Sequence, residues 1–281
     1  MSDLTVANGE RLAWGTRTYV MGIINLTPDS FSGDGLGGDV SAVVDQALRF
    51  QGEGADLLDL GAESSRPGHE PVSLEEELHR LMPALEAVAN RVDLPISVDT
   101  YKVDVARRAV DAGAVIINDI WGLKAEPLLA QAAADTGAGL VLMHNQSGTA
   151  YQDLLTDVAA SLQASVATAI AAGVPQGNII VDPGIGFGKT PDQNLAVLAG
   201  LGELQAIGCP LLVGTSRKST LGLLLDLPPD QRVEATAATV ALSIAGGADI
   251  VRVHDVKEMV RVCRVTDAVV RGWRPADWKT S

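Results

Sequence analysis

Eight short runs rich in Val, Ile and Leu recur along the chain, and most of the helix-length segments between them end near glycine. The runs are Tyr19–Ile24, Asp56–Leu60, Ile96–Val98, Val115–Asn118, Gly139–Met143, Asn178–Val181, Leu211–Val213 and Ile250–Val253. They lack a clean polar/apolar alternation, which is how strands covered on both faces read. Helices are predicted over Val40–Gln51, Leu74–Asn90, Lys102–Asp111, Glu126–Asp135, Leu154–Ala172, Asp192–Ile207, Arg232–Ala245 and Val256–Arg271. Glycine just past a helix is its usual stop. Asp39 and Ser73 stand where capping side chains belong, Ser73 with Glu76 at capping-box spacing. This alternation predicts an α/β fold, a (β/α)8 TIM barrel, as a single domain over residues 1–281. A doubly wound sheet is the rival and ordinarily has fewer strands. Leu4–Trp14, with Asn8-Gly9 near its middle, reads as a short N-terminal β-hairpin placed to close the bottom of the barrel.

In such a barrel the site lies at the C-terminal ends of the strands, and polar residues gather there. The first strand empties into Asn25-Leu26-Thr27-Pro28-Asp29. The second leads to Glu63-Ser64-Ser65-Arg66-Pro67-Gly68, the third to Asp99 and the fourth to Asn118 and Asp119. The fifth ends at His144 and the sixth at Asp182, followed by the glycine-rich stretch to Lys189. The seventh leads to Ser216-Arg217-Lys218, which opens a helix, and the eighth to Arg252, His254 and Asp255. The strand starts carry only the isolated Asp56, Asp93 and Asp249.

Arg66, Lys218, Arg252 and His254 gather on one rim of a chain whose net charge is −14, which suits an anionic group such as a diphosphate. Asp99, Asn118 and Asp182 suit the amino and amide edges of a flat heterocycle. Several of these residues have a plainer reading. Asp99 and Asp255 also fit as helix caps, Lys189 and Arg217 as solvated surface charges, and His144 as a packed strand-end histidine. No Walker A loop, nucleophile elbow or metal-binding histidine pair is present.

The acidic balance, with pI near 4.6, excludes a sequence-independent grip on nucleic acid or an anionic membrane. The N-terminus lacks the pattern of a secretory signal, and no membrane span is predicted, Ala235–Ile250 being interrupted by polar residues. Cys209 and Cys263 fit no redox or zinc pattern and are expected as buried free thiols. A cytoplasmic protein is expected.

The motifs MGIINLTPDSFS, LDLGAESSRPG, SVDT, IND, VLMH, DPGIGFGK, GTSRKS and RVHDV, in this order from about Tyr19 to Arg271, resemble those of the dihydropteroate synthases. The resemblance implies a homodimer that joins 6-hydroxymethyl-7,8-dihydropterin diphosphate to 4-aminobenzoate with Mg2+ and releases pyrophosphate. It implies Asn25 as a Mg2+ ligand and Ser65, Arg66, Arg252 and His254 as the diphosphate grip. It also implies Asp99, Asn118, Asp182 and Lys218 on the pterin, with Met143 and Asp59 near it. Ser216, Pro67 and Phe31 would surround 4-aminobenzoate, with Phe187 flanking the pocket. The catalytic set would be Asp99, Arg66, Lys218, Arg252 and His254. On this reading Arg252→Ala weakens diphosphate binding and leaves pterin binding largely intact. Two loops depart from the family pattern: Gly33 displaces the aspartate to Asp34, which is assigned no role, and Ser65 replaces a threonine. A methyltetrahydrofolate–corrinoid methyltransferase, or a non-catalytic pterin-binding paralogue, is the alternative. Arg66, Arg252, His254 and the Asn25 loop weigh against the methyltransferase, which needs no diphosphate grip.

Overall fold

The computed structural model describes residues 4–5, 11–27, 39–64 and 71–279. Phe31, Asp34, Ser65, Arg66 and Pro67 therefore lie outside the described residues. Two-residue strands β1 (Leu4–Thr5) and β2 (Arg11–Leu12) pair antiparallel. The barrel strands are β3 (Tyr19–Asn25), β4 (Leu57–Gly61), β5 (Ile96–Asp99), β6 (Ile116–Asp119), β7 (Gly139–Met143), β8 (Ile179–Asp182), β9 (Leu212–Val213) and β10 (Ile250–Val253). From β3 to β8 each strand pairs parallel with the next, and β10 pairs parallel with both β3 and β9. A single parallel bridge, Val181 to Leu211, joins β8 to the segment entering β9. The ring is thus nearly closed.

The helices are α1 (Val40–Glu53), α2 (Leu74–Ala89), α3 (Val103–Asp111), α4 (Leu128–Thr136), α5 (Leu154–Ala171), α6 (Pro191–Ala199), α7 (Leu201–Leu204), α8 (Ser219–Leu225), α9 (Val233–Ala245) and α10 (Val256–Val270). The predicted Asp192–Ile207 helix is broken at Gly200, the C-cap of α6, where a Cβ would stand 2.3 Å from Leu155 Cδ1 of α5. Its start is a reciprocal capping box between Thr190 and Gln193. Asp39 and Ser73 cap α1 and α2 as expected, but Glu76 turns its carboxylate to Arg80, 2.6 Å away. The α5 helix is long and apolar enough to cross a membrane by composition. In this fold it packs over β7 and β8 and buries Val158, Leu162, Val166 and Ala169.

Two apolar cores follow from the pleat, since alternate side chains of each strand point in and out. One lies between the sheet and the helices. The other fills the lower barrel with Met21, Leu57, Ile116, Val141, Ile180, Leu212 and Ile250. Leu12 of β2 and Trp14 just after it join that inner cluster from below, Trp14 meeting Tyr19 edge-on at 5.6 Å. The aspartates at the strand starts serve this end. Asp56 takes the Val20 N–H and pairs with Arg17, and Asp249 takes the N–H groups of Gly15 and Leu211. Leu211 pairs with a neighbouring strand only through the single bridge to Val181, so the regular pairing of the seventh barrel strand begins at Leu212, one residue later than predicted.

Candidate active site

Above the apolar layer the inward positions turn polar. A cleft of about 480 Å3 opens at the C-terminal ends of the strands. Asn25, Asp99, Asn118, Met143, Asp182, Phe187, Ser216, Lys218, Arg252 and His254 all line it. Every sequence-predicted site residue within the described stretches is thus brought together. Asp59 is fully buried beneath the cleft rather than on its wall.

The floor is an ion-pair network. Arg252 donates from Nε to Asp59 Oδ2 at 2.6 Å and from Nη2 to Asp99 Oδ2 at 2.9 Å. Asn118 Nδ2 donates to the same Asp59 oxygen at 3.2 Å. The carboxylate of Asp99 is therefore spent on a cation 153 residues away and caps nothing; Lys102 stands at the start of α3. Asp255 stands at the N-cap position of α10, but its carboxylate makes no capping bond. It grips Arg217, at 2.6 Å and 3.1 Å, which holds that residue in a left-handed turn with φ 57°.

Burial and charge set the protonation of this floor. Burial pushes the Asp99 carboxyl above its ordinary range, against the pull of Arg252. Burial also raises Asp182 to about 6, although the Gly184 N–H and Lys218 oppose it. Lys218 falls to about 8, first through burial and then through the charge of Arg252. Burial opposes the charge on Arg252 too, but Asp59 and Asp99 outweigh it and raise its pKa. An acceptor and a donor that both titrate near neutrality thus face one cleft, as perturbed groups at functional sites commonly do.

Two neighbouring features were not foreseen in the sequence. Arg232 lines the cleft and donates to the carbonyls of Leu227, Arg217 and Lys218, so it holds the backbone that carries Lys218. Gly222 makes room for it: a Cβ there would lie 2.1 Å from Arg232 Nη2. Lys189, which also reads as a surface charge, is buried with its Nζ 3.0 Å from His144 Nδ1. The prolines and glycines around these two residues mark turns and disclose nothing of what packs into them. His144 is the packed strand-end residue the sequence allows, kept neutral by burial and by Lys189, with a pKa near 3.

Ser216 Oγ lies 2.9 Å from His254 Nδ1 and accepts the His254 backbone N–H, which couples the ends of β9 and β10. The helix after Lys218 begins at Ser219 and is seven residues long. For a divalent cation the described residues offer no group of three or more His, Cys, Asp or Glu. Asn25 supplies an amide oxygen at the cleft wall. That fits an ion such as Mg2+, which keeps water and substrate oxygens around it and takes few protein ligands.

Residues 21–254 match the family model described as pterin binding enzyme. A dihydropteroate synthase of Bacillus subtilis is 49% identical over 259 residues, covering 92% of this chain and 91% of that protein. The Yersinia pestis dihydropteroate synthase solved with a sulfonamide drug superposes with a TM-score of 0.92 at 43% identity, covering 97% of this chain and all of that one. The Xanthomonas albilineans dihydropteroate synthase solved with 4-aminobenzoic acid gives a TM-score of 0.88 at 41% identity, covering 95% and 98%. These relatives bear the synthase name and not that of the corrinoid methyltransferase. The chain belongs to the pterin-binding enzyme family, among its dihydropteroate synthases.

Proposed function

We propose that the cleft condenses 6-hydroxymethyl-7,8-dihydropterin diphosphate with 4-aminobenzoate, giving 7,8-dihydropteroate and pyrophosphate. The observation that carries this reading is the floor itself, where Asp99, Asn118, Asp182 and Lys218 bring acceptors and donors into one cleft. Asp182 as carboxylate accepts from an amino-pyrimidine edge, and Lys218 and Asn118 donate to ring oxygen and nitrogen. Lys218 Nζ also stands 4.2 Å from the centre of the Phe187 ring, a cation–π contact that fixes one wall of the 4-aminobenzoate pocket. Ser216 borders the same space.

His254, with Arg66 and Ser65 of the second loop, grips the diphosphate. Arg252 stabilises negative charge at the departing oxygen while holding Asp99 and Asp59 in place. Asn25 would hold Mg2+, which when bound would supply charge neutralisation for the leaving pyrophosphate. The C–O bond to the pterin methylene breaks, the charge of Asp99 favours the cationic methylene, and the arylamine nitrogen attacks it and then sheds its proton. The nucleophile is a neutral amine, so the site has no need of a strong general base. By resemblance to the family, Phe31 and Pro67 are assigned to 4-aminobenzoate binding.

The same reading gives a homodimer in the cytoplasm. Leu223 and Leu224 of α8, Leu242 of α9 and Val265 and Val269 of α10 are exposed apolar residues suited to an interface, and both cysteines are unpaired. The test is pyrophosphate release from the pterin diphosphate, with and without 4-aminobenzoate and Mg2+. Release that depends on Mg2+ and is coupled to dihydropteroate formation when 4-aminobenzoate is present supports the proposal; no release under any condition refutes it.

A further inference from the structure

Lys189 is a buried cation that ion-pairs with no carboxylate among the described residues. Its Nζ is held by the carbonyl oxygens of Pro183 at 2.8 Å, Gly184 at 3.0 Å and Phe187 at 3.2 Å, and by His144 Nδ1 at 3.0 Å. An ammonium has three N–H donors, so it is fully engaged by the main chain of its own loop and one ring nitrogen. Burying a charge is costly unless it is paired or fully hydrogen-bonded, and the chemistry proposed above makes no use of this one.

The loop explains the requirement. It joins Asp182 to Lys189, and Gly184, Gly186 and Gly188 all have positive φ, of 69°, 84° and 55°. A Cβ on Gly184 would lie 2.0 Å from the His144 carbonyl oxygen, and one on Gly188 2.7 Å from that of Gln146. Only glycine fits this path, yet glycine leaves the backbone its greatest freedom. Asp182 at one end of the loop and Phe187 within it both line the cleft. A second tether, the Tyr151 hydroxyl to the Gly188 carbonyl at 2.7 Å, grips the same loop from α5's approach.

We propose that Lys189 is a positioning residue for the condensation: its ammonium draws the loop carbonyls around itself and so sets Asp182 against the pterin and Phe187 against the arylamine. The inference rests on the function proposed above. It assigns Lys189 no contact with either substrate. Burial lowers the Lys189 pKa to about 7, against the pull of the Asp182 charge at the head of the same loop.

The experiment compares Lys189→Met, which keeps the stem and removes the ammonium, with the wild type. Steady-state constants are measured for each substrate, and folding is followed by circular dichroism and thermal unfolding. A loop that drifts off its positions loses binding shared by ground and transition states, so KM for pterin diphosphate and 4-aminobenzoate should each rise about tenfold or more while kcat changes less than about threefold. A folded variant with wild-type KM values, whether or not kcat falls, overturns the inference. If Lys189→Met does not fold, Tyr151→Phe decides. It loses one hydroxyl, and KM for 4-aminobenzoate should rise by about threefold; an unchanged KM overturns the inference. Wild-type turnover measured alongside separates the two claims, because its absence would strike the proposed function itself.

Discussion

Arg252 is the residue on which most of the site's charge turns. The sequence casts it as a diphosphate ligand, so that Arg252→Ala would spare pterin binding. Its ion pairs with Asp59 and Asp99 change that expectation. With the guanidinium gone, a fully buried Asp59 keeps only Asn118, and removing one partner of a buried pair typically costs about 3–5 kcal/mol. Arg252→Ala should therefore lose about that much stability in urea unfolding and also weaken a pterin that carries no diphosphate. A loss below about 1 kcal/mol would show that the pair is a bystander. The pH dependence follows from Asp182 and Lys218. Protonation of Asp182 removes its charge and turns one acceptor oxygen into a donor facing the donors of the pterin edge, so binding weakens as pH falls through about 6. Lys218 donates as a cation only below about 8, so binding fails above it. A bell-shaped kcat/KM with limbs near those values is expected, read as properties of the coupled site; a flat profile from pH 5 to 9 would contradict these roles. Stability carries a separate signature in His144, whose folded pKa near 3 lies below the ordinary 6.5. Between those values the unfolded chain binds the extra proton, so the contribution of neutral His144 is present above about pH 6.5 and is lost on the way down to 3.

The elements were largely legible because each rests on local pattern. The barrel strands, the caps at Asp39 and Ser73 and the glycine helix stops follow from residue spacing alone. What was not legible depends on distant partners. Nothing near Asp99 in the chain distinguishes a helix cap from an ion pair with Arg252, and nothing near Gly200 announces Leu155 of α5. At this scale Gly222 in α8 gives a prediction with two opposing terms. Alanine is favoured over glycine within a helix by about 1 kcal/mol. Its Cβ, however, would stand 2.1 Å from the Arg232 guanidinium that tethers the Lys218 backbone. Gly222→Ala should therefore raise KM for the pterin substrate by roughly tenfold with little loss of helix content. A variant that is more stable and kinetically silent would mean that Arg232 does not hold the site.

Across the whole molecule the two ends of the barrel divide the labour, and the one-ended clustering of polar residues in the sequence reflects it. Below, Leu12 and Trp14 close an apolar plug, and Asp56 and Asp249 serve the backbone. Above, the inward positions carry the ion-pair floor. The outer face of α8, α9 and α10 carries the proposed partner surface. Sedimentation should give twice the 29.2 kDa chain mass, and Val269→Asp on α10 should shift it toward one chain; a wild-type monomer at assay concentration would contradict the homodimer. Turnover decides the account as a whole. With pterin diphosphate, Mg2+ and isotopically labelled 4-aminobenzoate, mass spectrometry should find labelled dihydropteroate in one-to-one ratio with pyrophosphate, and Asp182→Ala and Lys218→Ala should abolish it. Pyrophosphate without labelled dihydropteroate, or equal product from those two variants, would contradict the account.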